Sequence, residues 1–302
     1  MRKTGYGIIL AVLAASLYAL SAPFSKLLLD YLPSTLMAGF LYVGAGVGML
    51  LVGLTKSAMG KSSDENKLER RDFLYVFLMV ALDIFAPVFL LLGLSKTTAE
   101  NTSLLNNFEI VATAVIALCV FKEKISSRLW VGISFVTVSC AVLSFENFSA
   151  FKFSYGSLFV LLASICWGVE NNCTRKLSQK EPLQIVVVKG ICSGIGSLII
   201  GFCLGQKIIY AWAVFATLGI GFIAYGMSIF FYVYAQRLLG AARTSAYYAV
   251  SPFIGALLSL IIFKNMPNYG FFIALALMAI GAWLCSNDKP ICKNRKRNAT
   301  QM

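Results

Sequence analysis

Residues 72–94 read DFLYVFLMVALDIFAPVFLLLGL. Past Asp72, the one charged side chain in this stretch is Asp83, and apolar groups cover every helical face. As an α-helix rising 1.5 Å per residue, the segment covers the roughly 30 Å of a bilayer's hydrocarbon core. A helix apolar all round belongs in a core or in lipid, whereas a surface helix carries one polar face.

Similar stretches recur along the whole chain, at approximately 5–29, 34–54, 72–94, 98–121, 128–147, 155–178, 183–205, 209–232, 241–263 and 268–286. Composition agrees: 59% of the 302 residues are hydrophobic, 13% are charged, and mean hydropathy is +0.78. A soluble domain carries about 25% charge. The expected fold is therefore an all-α membrane protein with ten transmembrane helices. Most linkers are short, so consecutive spans should run antiparallel; residues 55–71, rich in Lys, Arg, Asp and Glu, form a longer solvated loop.

The net charge of +13 sits at helix ends and in polar segments, which argues against nucleic acid as a partner and for the lipid bilayer. With the N terminus inside, 20 of the 26 Lys and Arg fall on inner segments, which the positive-inside rule favours. Both termini should then be cytoplasmic, in a plasma (inner) membrane. Lys289, Lys293, Arg295, Lys296 and Arg297 make a basic tail suited to anionic lipid. Arg2 and Lys3 before an apolar run resemble a signal peptide, but the run continues to Leu29 and has a counterpart in the second half, so it reads as part of the fold.

Eight cysteines form no CxxC pair and histidine is absent, so no metal or other cofactor is expected and imidazole chemistry is excluded. There is no P-loop. Asn-x-Ser/Thr triplets at Asn101, Asn147, Asn172 and Asn298 read as chance.

A shift of 149 superposes Tyr6-Gly7 on Tyr155-Gly156, Leu13-Ala14 on Leu162-Ala163, Tyr18 on Trp167 and Pro33 on Pro182. A shift of 142 superposes Ala99 on Ala241, Thr102-Ser103 on Thr244-Ser245 and Phe121-Lys122 on Phe263-Lys264. The chain thus divides into residues 1–149 and 150–288, five spans each, with 289–302 as tail. An odd number of spans makes the second copy enter from the opposite face. Such inverted repeats offer two near-equivalent conformations and suit alternating access.

With its ten spans and duplication, the chain resembles the drug/metabolite transporter superfamily, specifically EamA-type transporters. The fourth span, Ala99 to Glu123 with its Phe121-Lys122-Glu123 ending, is similar to that family's signature stretch. The second copy has Pro252 in mid-helix but Asn265 in place of the acid. The resemblance implies transport of a small-molecule metabolite, commonly export, with variable coupling. A homodimer is left open. The competing class is a membrane-embedded enzyme acting on a lipid or prenyl-linked substrate; it would need clustered interfacial carboxylates, which are not evident.

Charges buried in a membrane are costly and normally face a partner or a cavity. Asp83 stands four residues before Pro87, which removes a helix hydrogen bond and invites distortion. Glu109, Asn106 and Ser103 share a helical face at spacings of three. Ser251 and Pro252, preceded by Tyr247 and Tyr248, occupy the equivalent region of the second half. Together these could wall a cavity at the pseudo-two-fold axis. Glu170, three residues after Trp167, could pair with Lys189 on the next span; a Lys189 left unpaired would instead recognise a substrate carboxylate. Asp83, Glu109 and Glu170 are the candidates for proton coupling. Glu123, Lys122, Lys124 and Arg128 should lie at the inner membrane edge, Arg237 and Arg243 should reach headgroups, and the Gly44/Gly48 and Gly190/Gly194 spacings predict close helix contacts.

Overall fold

The computed structural model describes residues 2–59, 66–121, 126–147, 152–177, 179–239, 244, 247–264, 267 and 269–286. Lys122, Glu123, Lys124, Arg243, Asn265 and the basic tail lie outside them. The first span is α1 (Arg2–Ala19) and α2 (Ser21–Leu28), interrupted at Leu20. Next come α3 (Ser34–Ala58), α4 (Phe73–Lys96), and a fourth span divided into α5 (Ala99–Leu105) and α6 (Phe108–Phe121). α7 (Ser127–Ser144) completes the first half. A short antiparallel pair, β1 (Phe145–Asn147) with β2 (Lys152–Phe153), leads into the second.

The second half comprises α8 (Tyr155–Leu177), α9 (Pro182–Cys203), α10 (Ala211–Ile220) running through a π-helical segment Gly221–Met227 into α11 (Ser228–Leu239), α12 (Ser251–Phe263) and α13 (Tyr269–Ser286). Ten spans result, in two inverted five-helix repeats. Five of them are long and apolar enough to qualify by length and composition alone. Interruption shortens the helical pieces of the fourth and ninth spans. The sixth span is a continuous 23-residue helix, but its polar run Glu170-Asn171-Asn172 dilutes its hydropathy.

The packing obeys the repeat. α3 lies along α9, α7 along α13, and α5 against α12, so the second, fifth and fourth spans each meet their own counterparts. α4 packs on α8, and the exchanged pair, α11 on α1, is also formed. This pattern requires a pseudo-two-fold axis through the centre. Outward faces stay apolar: Phe77, Phe85, Trp130 and Ile199 are about half exposed, as lipid contact demands.

α3 and α9 approach so closely that a Cβ on Gly190 would lie 2.4 Å from the Gly46 nitrogen. Gly194 meets Val43 and the Gly39 carbonyl. Gly44 and Gly48 serve a different neighbour, the Leu218 backbone and the Phe222 ring. Both glycine pairs therefore mark close contacts, but with different spans.

Pro87 does not break its helix. α4 runs unbroken from Phe73 to Lys96, braced by α9, whose Ser193 Oγ donates to the Val80 carbonyl at 3.2 Å and Ser197 Oγ to the Ile84 carbonyl at 3.5 Å. The interruptions fall elsewhere, at Leu20, at Asn106-Asn107 and at Ala249-Val250. The last two lie within one residue of each other under the shift of 142. Pro23 and Pro252 carry no N–H, which leaves the carbonyls of Ala19 and Tyr248 without their helical donors.

At one end of the bundle the loops interlock. Lys180 Nζ lies 2.9 Å from Glu69 Oε1 and 3.1 Å from Asp72 Oδ2. The Leu68 amide donates to Gln184 Oε1, and Glu181 N to the Asn66 carbonyl. Arg237, expected to reach for headgroups, donates to the Lys180 carbonyl and rests on the Tyr234 ring. Arg128 sits over the Trp283 ring at 4.9 Å, tying α7 to α13. At the other end Tyr31 packs on Tyr210 and Trp212, an aromatic belt. There Lys26 Nζ donates to the carbonyls of Leu94 and Thr97, at 2.6 and 2.8 Å.

Candidate functional site

Charge gathers at mid-bundle because three spans deliver it to one level. α4 presents Asp83, α8 presents Glu170 and α9 presents Lys189; their residues are 0, 2 and 5% exposed. Lys189 Nζ lies 3.1 Å from Asp83 Oδ2 and 3.0 Å from Glu170 Oε1. Lys189 therefore pairs with Glu170, as its place on the neighbouring span allows, and with Asp83 as well. This overturns the alternative of a free lysine recognising a substrate carboxylate. An unpaired ammonium at this depth would be strongly disfavoured, whereas two carboxylates at hydrogen-bonding distance hold it. Tyr42 OH completes the Asp83 shell at 3.0 Å, and Thr174 Oγ1 donates to Glu170.

Glu109 lies in the first turn of α6, where the helix dipole favours a carboxylate. Asn171, next to Glu170 on α8, donates its Nδ2 to Glu109 Oε1. The helix interruption at Asn106-Asn107 separates Glu109 from Ser103 and Asn106, so the three do not form one continuous helical stripe. Turn geometry intervenes: Asn107 N bonds Leu104 O, and Glu109 N bonds Asn106 O.

Ser103 and Asn106 instead line a small cavity of mixed character together with Ser251, Pro252, Tyr18, Ser21 and Leu90. Its volume is about 20 Å³, room for a water or two and far too little for a metabolite. The centre is in a closed arrangement.

Aromatic rings cap this level. Tyr18 meets Trp167 edge-on at 6.4 Å, Tyr225 at 5.7 Å and Tyr248 at 5.9 Å, and Tyr42 meets Tyr225 at 5.3 Å. Tyr18 and Trp167, counterparts in the repeat, thus touch each other near the axis. Tyr225 lies within the π-helical segment, an element that often marks a functional site. Tyr247, expected beside Tyr248, is 38% exposed, because the short helical turn at 247–248 sends adjacent side chains to different faces.

Five participants went unanticipated: Tyr18, Tyr42, Tyr225, Asn171 and Thr174. Tyr18 was aligned with Trp167, and shifting Asp83 by 142 lands on Tyr225, so the repeat carried a signal for two of them. Nothing in the sequence marks Tyr42.

A ten-span helical protein built on inverted repeats, with paired interrupted spans and charges gathered at mid-membrane, has the architecture of a membrane transporter. The EamA-like transporter family matches residues 5–145 and again residues 154–287, and the chain belongs to that family. Among its relatives is an uncharacterized transporter of Methanothermobacter thermautotrophicus, 25% identical over 282 residues, covering 86% of this chain and 80% of that protein. The uncharacterized transporter YyaM of Bacillus subtilis is 20% identical over 245 residues, covering 78% of this chain and 79% of that one. A solved crystal structure superposes with a TM-score of 0.65 over 94% of this chain and 95% of its own, at 16% identity, a likeness of fold.

Proposed function

We propose that the protein is a secondary transporter that moves a small polar metabolite by alternating access, in the efflux direction, with the repeats 1–149 and 150–288 rocking about the pseudo-two-fold axis. The observation that carries this reading is the symmetric interruption of the fourth and ninth spans beside a buried charge cluster. Interrupted spans at a repeat interface place backbone and side-chain polar groups where cargo and ions bind.

The balance of charge narrows the cargo. Asp83, Glu109 and Glu170 stand against Lys189 alone, and the neighbouring Tyr18, Trp167 and Tyr248 rings favour a cationic group over their faces. An amine-bearing metabolite, such as an amino acid, fits this centre better than an organic anion. Glu109 is the proposed proton-coupling group, since it lies apart from the lysine-held pair. The distribution of Lys and Arg supports cytoplasmic termini, and a plasma-membrane location is part of the same proposal.

The test starts from metabolite profiles of cells with and without the protein. Compounds that change are then loaded into proteoliposomes for counterflow. Trans-stimulated, saturable exchange is expected. Flux that neither saturates nor responds to substrate on the far side would mean a channel.

A further inference from the structure

The small cavity at the axis has a composition that the transport reading leaves unused. Three helix interruptions lie beside it, at Leu20, at Asn106-Asn107 and at Ala249-Val250. Ser103 is 4% exposed, Asn106 9% and Ser251 1%. Ser103 Oγ, Asn106 Oδ1 and Ser251 Oγ are buried with no hydrogen-bond partner among the described residues. A buried polar atom left unsatisfied is destabilising, so three around one cavity call for an occupant.

A fourth oxygen joins them. Pro23 has no N–H to give the Ala19 carbonyl, and Ala19 lines the same cavity. Gly255 leaves the space open between these oxygens: a Cβ there would lie 2.9 Å from Ser103 Oγ and 3.2 Å from Ala19 O. Apart from Tyr18 and from Ser21, which bonds Tyr225, the lining supplies two serine hydroxyls, an amide oxygen and a freed carbonyl, and among the described residues it holds no carboxylate and no cationic group.

We propose that this cage, Ser103, Asn106, Ser251 and the Ala19 carbonyl, binds a dehydrated sodium ion. Oxygen donors suit a hard cation. The absence of a carboxylate disfavours calcium and magnesium, which recruit Asp or Glu. A volume of about 20 Å³ holds one ion stripped of its waters. Backbone carbonyls freed at interrupted spans are also groups that coordinate sodium in transporters built from inverted repeats. Because the cage is made by three spans from both halves, ion binding ties the halves together at the axis and stabilises the closed arrangement. That consequence for the transport cycle rests on the alternating-access reading; ion binding itself does not.

The experiment is thermal unfolding of the purified full-length protein in detergent, at constant ionic strength, in NaCl, KCl or choline chloride. Sodium should raise the unfolding temperature saturably, with no such rise in potassium or choline. Ser103→Ala and Ser251→Ala should each raise the half-saturating sodium concentration about tenfold or more. Gly255→Ala, which puts a methyl group among the oxygens, should abolish the response. If the three salts act alike on the wild type, the cavity holds water only and the proposal fails. It fails equally if both serine variants keep the wild-type sodium response. The readout is binding, so a negative counterflow assay with a positive sodium response would sink the transport reading alone, and the converse would sink this one.

Discussion

Ser21 Oγ and the Tyr225 phenol are joined at 3.1 Å, and one repeat away the same two places are held by Glu170 and Asp83. The shift of 149 carries Ser21 to Glu170, and the shift of 142 carries Asp83 to Tyr225. A hydroxyl and a phenol can share a hydrogen bond unaided. Two carboxylates repel, and only Lys189, whose counterpart is Phe40, lets them occupy the equivalent arrangement. The inverted repeat is therefore symmetric in backbone and asymmetric in charge.

Removing the lysine should expose that repulsion. Lys189→Met leaves two buried carboxylates facing each other, at a cost of about 3–5 kcal/mol. The triple variant Asp83→Asn, Glu170→Gln, Lys189→Met removes all the charge and should regain most of the loss. Chemical denaturation of both variants in detergent checks this; a triple variant no more stable than the single would show that charge pairing is not what the cluster contributes.

Glu109→Gln keeps the oxygen that accepts from Asn171 and removes the titratable group. Folding, read by the unfolding midpoint, should be unchanged, while uptake driven by a pH gradient into vesicles is lost and counterflow persists. Undiminished pH-driven uptake would relieve Glu109 of the coupling role.

The crossing of α3 and α9 makes a graded prediction. Gly190→Ala sets a Cβ 2.4 Å from the Gly46 nitrogen and should destabilise by about 1–3 kcal/mol. Gly219→Ala meets nothing within 4 Å and should be neutral or slightly stabilising. Equal effects at the two positions would mean the crossing is looser than its geometry.

The interlocked loops carry the pH dependence outside the membrane. Lys180, through its hydrogen bond first, holds Glu69 below its ordinary 4.5. Asp72 is held below 3.8, first by the Glu69 amide and then by Lys180. Lys180 is raised above 10.5 by its bond to Glu69 and its contacts with Asp72. A lowered carboxylate contributes stability above its unfolded value, lost as pH falls through the lower folded one. A raised lysine contributes stability that fades as pH climbs through its folded value. Loop docking should hold across the neutral range, loosening below pH 3.8–4.5 and again above 10.5. Spin labels at Asn66 and Gln179 would report it as an increased separation, and a separation constant from pH 7 to pH 3 would refute the coupling.

The site was partly readable before folding. Asp83, Glu109, Glu170 and Lys189 announced themselves because a charge in an apolar run is costly, and all four lie at the centre. Their partners were not readable. Tyr42 is one tyrosine among 13, and Asn171 outranks Asn172 as partner to Glu109 only through the rotation of α8. Pro87 misled, because helix propensity at one residue yields to packing from α9, whereas Pro23 and Pro252 sit just after helix interruptions.

By itself the sequence determined the ten spans and their inverted pairing, because hydrophobic length and odd-numbered duplication are properties of the linear chain. It also determined that charge would be buried at mid-membrane. Tertiary structure alone decided that Lys189 binds both Asp83 and Glu170, that Tyr247 turns outward, and that Ser103, Asn106 and Ser251 share one cavity. Those outcomes depend on the rotation and relative height of neighbouring helices, which are set by contacts between residues far apart in sequence.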